Sequence, residues 1–111
     1  MAKDSQTAVA PKRRRTLRVE LEIRLPAFIS GSRSGPAEVQ DLALGGAFLL
    51  TKLQLEVGDM LHVKIPTGDL PFQSAAKVRA VSRAGVGVEF VQMKPEDHAL
   101  LRDLIAKLLA P

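Results

Sequence analysis

The sequence predicts a mostly β fold: a six-stranded antiparallel β-barrel followed by one C-terminal α-helix. Three observations predict it. Apolar and charged residues alternate strictly from Leu17 to Leu25. Turn-forming clusters then separate a series of short apolar runs. Past Pro95 the apolar spacing changes from every second residue to i, i+3, i+4, i+7, the period of a helix. With 111 residues, 46% of them hydrophobic, the chain is long enough to bury one core and argues for one compact domain.

The elements follow in chain order. Residues 1–11 are small and polar, end in Pro11, and predict a flexible N-terminal tail ahead of a folded body over 12–111. Leu17, Val19, Leu21, Ile23 and Leu25 share one parity and Arg18, Glu20, Glu22 and Arg24 the other. That is a half-buried strand with one wet face, and Arg18 belongs to the wet face. Arg14 precedes it at the strand mouth. The cluster Ser30–Pro36 should return the chain as a hairpin into Ala37–Leu42. Gly45-Gly46 then precedes Ala47–Leu50; adjacent glycines between strands suggest a bulge, a positive-φ turn or a close backbone approach. Val57-Gly58-Asp59 and Thr67-Gly68-Asp69 are turns bracketing a strand at Met60–Pro66. Phe72–Ser82 is a longer strand, with Ala76, Val78 and Ala80 in one parity and Lys77 and Arg79 in the other. Ala84-Gly85 turns into Val86–Gln92, where Val86, Val88 and Phe90 share a face. Pro95 suits a first helical turn, Glu96 and Asp97 suit its dipole, and the helix should span about 95–109. Its stripe is Leu101, Leu104, Ile105 and Leu108.

Several function classes are excluded or disfavoured. Cys is absent, which removes disulfides, thiolate metal sites and Cys nucleophiles. The two His, His62 and His98, join no cluster with metal spacing. No phosphate-loop or dinucleotide fingerprint occurs, and no acid/base pair stands out, so the expectation is a non-enzyme without a cofactor. The longest run free of charged or strongly polar residues is Leu42–Leu50, too short to cross a bilayer. The stretch after Arg13-Arg14 is too charged to be an export signal. The expected location is cytoplasmic, with no membrane insertion.

The net charge of +4 is uneven. Residues 1–33 hold eight basic and three acidic residues, whereas residues 34–111 hold eight and nine. The excess centres on Lys12-Arg13-Arg14-Arg15 with Arg18. Such a block attracts phosphate. A general nucleic-acid binder is disfavoured, because the body is nearly neutral and Trp and Tyr are absent.

Two motifs sharpen this. Arg14-x-x-x-Arg18, preceded by Arg13, meets the first strand; Asp41-Leu42-Ala43-Leu44-Gly45-Gly46 lies on the second strand and the turn after it. Their order, together with a barrel-plus-helix pattern over residues 12–108, resembles the PilZ family, whose signature is RxxxR followed by D/N-x-S-x-x-G. The resemblance implies a split-barrel receptor for the bacterial second messenger cyclic di-GMP. It implies that Arg14 and Arg18, with Arg13 before them, grip phosphates and guanine edges, and that Asp41, Ala43 and Gly46, beside Gly45, cradle a guanine. Arg13 and Arg15 are the extra basic contacts a second ligand molecule would need. It also implies a downstream protein partner in motility, biofilm polysaccharide or developmental control, reached when ligand orders the basic arm.

The chemistry supports this independently of the family. A guanidinium fork pairs two phosphate oxygens, or guanine O6 and N7. A carboxylate is acceptor-only, which suits the N1–H and N2–H₂ edge of guanine. Ala43 stands where the family carries Ser, and this departure supplies the alternative reading: a degenerate adaptor that binds a protein partner without nucleotide.

Overall fold

The computed structural model describes residues 18–67 and 70–109. Alternating strands form a closed antiparallel barrel from β1 (Arg18–Gly31), β2 (Gly35–Ala43), β3 (Gly46–Leu50), β4 (Met60–Ile65), β5 (Phe72–Val81) and β6 (Gly85–Val91). Around the barrel the order is β1-β2-β3-β6-β5-β4, and β4 closes back onto β1. Closure leaves no open sheet edge. The helix α1 (Pro95–Leu109) follows, with the bounds its sequence predicts.

Inward parity fills the core. Ile29, Val39, Leu42, Leu49, Val63, Ile65, Phe72, Ala76 and Val78 have no solvent exposure. Val86, Val88 and Phe90 share the inner face of β6 as expected, and Phe90 meets Phe72 edge-on at 5.3 Å. From the helix, Leu101 and Ile105 are buried in this core, and Leu104 and Leu108 pack at its margin.

Three local features depart from the simplest sequence reading. First, β1 runs past Leu25 through Pro26 to Gly31, so the turn shrinks to residues 32–34. Proline is accommodated because pairing with β4 begins only at Phe28, leaving β1 one-sided at Pro26. Second, β2 and β5 each carry a one-residue bulge. Val39 pairs with Leu49 but Asp41 with Phe48, which leaves Gln40 extra; Val78 pairs with Val88 but Ala80 with Gly87, which leaves Arg79 extra. Third, Ala80, placed by alternation with Ala76 and Val78, is exposed, because the bulge at Arg79 reverses the parity beyond it. The tail over residues 1–11 and the Gly68-Asp69 part of the predicted turn lie outside the described residues.

Of the alternatives for Gly45-Gly46, close backbone approach holds at Gly46. A Cβ there would lie 2.2 Å from the Val88 carbonyl oxygen on β6. Gly85, across the same two strands, would place a Cβ 2.0 Å from the Leu49 carbonyl oxygen. Both glycines let β3 and β6 pair, whereas a Cβ on Gly45 meets nothing within 4 Å. Gly46→Ala and Gly85→Ala should therefore each cost about 1–3 kcal/mol by overpacking. Gly45→Ala should stay within about 0.5 kcal/mol of wild type. Urea unfolding of the three variants checks the contrast.

Candidate functional site

Register brings the two motifs together. Arg18 pairs with Ala43, Val19 with Leu42 and Glu20 with Asp41. The end of the arginine motif thus meets the Asp-x-Ala motif across one ladder. The Gln40 bulge then determines where Asp41 faces. Val39 and Leu42 both point into the core with no exposure, so the intervening extra residue turns Asp41 onto the outer wall. Even there it is only 6% exposed.

Beside it the outer wall forms a concavity of about 350 Å³. Asp41 and Ala43 border it from β2, Gly45 and Gly46 from the turn, and Ala47 and Phe48 from β3. Gly87 and Val88 come from β6 and Arg79 from β5. Cross-strand pairing aligns Glu20, Asp41, Phe48 and Gly87 in one row that ends at the Arg79–Ala80 bulge. Three strand intervals separate Asp41 from that bulge, about 14 Å at the usual strand spacing. The groove therefore has an acidic group near one end, a guanidinium near the other, and mostly apolar side chains between.

Arg79 does not stand alone. Its Nε–H donates to Glu89 Oε1 at 2.7 Å, and its Nη2 forms an ion pair with the same oxygen. The two side chains are 57% and 47% exposed.

Of the residues singled out from sequence, Asp41, Ala43, Gly45 and Gly46 line this one concavity, and the backbone of Arg18 lies across from Ala43. Arg13, Arg14 and Arg15 lie outside the described residues. Sequence reasoning missed Arg79. Its outward parity made it look like Lys77, an ordinary charge on a wet face, and only the bulge distinguishes it.

A larger concavity, about 950 Å³, opens at the opposite end of the barrel among the β3–β4 connection and the β5–β6 turn. It holds none of the motif residues, and convergent chemistry outweighs size in locating a site. Among the described residues no group of three or more His, Asp or Glu side chains can hold a metal ion, and no helix is long and apolar enough to cross a membrane.

The family model described as PilZ domain matches residues 12–107. The PilZ domain of YcgR from Escherichia coli, solved with c-di-GMP, superposes with a TM-score of 0.72 at 18% identity, over 87% of this chain and 92% of that one. The inhibitor of motility MotI/DgrA from Bacillus subtilis gives 0.69 at 21% identity, over 88% of this chain and 52% of that one, so the present chain spans about half its length. The PilZ domain of CeSA from a cellulose-synthesizing bacterium gives 0.69 at 12% identity, over 85% and 99%. At these identities the likeness is one of fold. No curated protein sequence matches the chain.

The groove floor at Gly87 has room that Gly46 lacks. A Cβ on Gly87 would sit 3.7 Å from Ala80 Cβ and 3.9 Å from Phe48 Cδ1, ordinary contact distances. Gly87→Ala should therefore fold with unchanged stability or gain up to about 1 kcal/mol from reduced unfolded-state entropy. Thermal and urea unfolding beside Gly46→Ala tests this.

Proposed function

The chain belongs to the PilZ family, and from that membership we propose that it is a receptor for cyclic di-GMP that signals to a protein partner. The observation that carries the reading is the β1–β2 register. It sets Arg18 opposite Ala43 and Glu20 opposite Asp41, so the last arginine of the first motif lies across the ladder from the second motif, which borders the concavity. In this reading Arg14 and Arg18, with Arg13 and Arg15 in the same block, close over the ligand phosphates as residues 12–18 fold onto the groove. Asp41 accepts from a guanine edge. The apolar surface of Ala43 and Phe48, beside the Gly87 backbone, packs against the base, and the open side at Gly45 admits it. No cofactor beyond this ligand is needed.

The output is carried by the surface that the closed arm creates. The inhibitor of motility and the PilZ domain of CeSA from a cellulose-synthesizing bacterium support motility or surface-polysaccharide control as the process, and cytoplasm is the proposed location. Ala43 favours a second reading, an adaptor that binds its partner without nucleotide. A pull-down with equal partner recovery in the presence and absence of cyclic di-GMP would establish that reading.

Calorimetric titration of the full chain with cyclic di-GMP tests the leading one. Wild type should bind. The Arg14→Ala, Arg18→Ala double variant should lose about tenfold or more in affinity, since each charged hydrogen bond contributes about 1.5–3 kcal/mol. Absence of wild-type binding at high micromolar ligand would refute the assignment.

Ala43→Ser restores the hydroxyl the family carries at this point of the groove. One neutral hydrogen bond is worth about 0.5–1.5 kcal/mol, so affinity should rise about 2- to 12-fold. The same titration reads it, and an unchanged constant would show that position 43 makes no polar contact with the ligand.

A further inference from the structure

Arg79 is the only cation among the described residues that line the groove. It sits at a bulge, the device that re-aims a side chain out of the regular in–out alternation. Glu89, by contrast, does not line the groove, but it occupies the Arg79 guanidinium through one oxygen that takes both the Nε–H bond and the Nη2 contact. On β6, Glu89 stands between Gly46 and Lys77 in the cross-strand row. The carboxylate is thus held where an incoming anion would have to replace it.

We propose that Arg79 is the far anchor for a ligand phosphodiester, and that Glu89 is a built-in competitor that the ligand displaces. This rests on the cyclic di-GMP reading above and adds a residue and a regulatory contact to it. The groove from Asp41 to Arg79 is longer than a purine ring, so one molecule can place a guanine at Asp41 and a phosphodiester toward Arg79. The exchange is energetically open. An ion pair with both partners about half exposed is weak, whereas a guanidinium fork on a phosphodiester inside a partly closed groove is stronger. The competitor also serves selectivity. With its guanidinium already neutralised, Arg79 is a poor trap for simple anions, and only a ligand anchored elsewhere in the groove gains enough to exchange partners.

The test uses the full chain and cyclic di-GMP in calorimetry, with the Arg79 Nε–Hε resonance and the backbone amides of Asp41 and Ala43 followed by NMR. Arg79→Ala should lower affinity about tenfold or more. Glu89→Gln removes the competing charge and should raise affinity by up to about fivefold. Arg79→Ala combined with Glu89→Gln should bind no tighter than Arg79→Ala alone, because Glu89 acts through Arg79. In wild type the Arg79 Nε–Hε resonance should shift on saturation. If wild type binds and the Asp41 and Ala43 amides move, yet both single variants match wild type and the Arg79 resonance is static, the anchor is refuted and the receptor reading stands. If wild type shows neither heat nor amide shifts, the receptor reading and the anchor fall together.

Discussion

A β-strand repeats every two residues, and in a closed barrel that period sends each side chain either to the core or to solvent. A binding surface needs something different: polar groups converging on one patch of the outer wall, held firmly enough to act together. Here β2 and β5 break the period at Gln40 and at Arg79, and β1 shifts register between Glu20 and Leu25. The bulge at Gln40 leaves the core intact, with Val39 and Leu42 both inside, whereas β5 keeps Ala76 and Val78 inside up to its bulge and turns Ala80 out beyond it. What changes is the outer wall, where Asp41 and Arg79 come to bound one groove. The site is thus a by-product of register, and register is held by the same inward-facing residues that hold the barrel.

Much of the fold was legible because burial leaves a period in the sequence. The odd-numbered apolar residues from Val19 to Ile29 are inward wherever the side chains are described, and Leu101 and Ile105 bury as helical spacing demands. What was not legible follows from the same logic. A bulge adds one residue without a signature of its own, so Gln40 and Arg79 read as ordinary polar positions and Ala80 as an inward one. Gly46 was recognisable as special, but whether it served a bulge, a turn or a close approach depended on β6, a strand some forty residues away in sequence that presents the Val88 carbonyl. The site was legible through its motif residues Asp41, Ala43, Gly45 and Gly46. Its far end at Arg79 was not, since nothing local to that residue says which groove it borders.

The charge distribution has a structural counterpart. Among the described residues lining the groove, Asp41 and Arg79 are the only charged ones, and Arg79 is already paired to Glu89. The wall therefore offers little net attraction for a doubly negative ligand. The cationic excess is in the sequence at Lys12–Arg15, just ahead of β1, and at Arg18, its first residue, which pairs with Ala43. Wall and arm divide the work in the proposed complex. The wall discriminates by shape and by one acceptor, and the arm supplies charge.

That division also gives Ala43 a physical role. Ala43 and Phe48, with Gly87 between Phe48 and the bulge, make the middle of the groove apolar, flanked by few polar groups. Small-molecule sites are commonly built this way: apolar contact supplies most of the affinity, and a few placed polar atoms fix orientation. A methyl at position 43 extends the apolar strip, whereas a hydroxyl would add an orienting bond. Replacing the hydroxyl thus trades a modest amount of orientation for continuous apolar contact. The polar contacts that fix the pose then fall to Asp41 at one end and to guanidinium groups at the other. In the proposed complex such a site depends more heavily on its arginines than one with the hydroxyl in place, so the ion pair holding Arg79 becomes a larger share of what decides whether the groove accepts the proposed ligand.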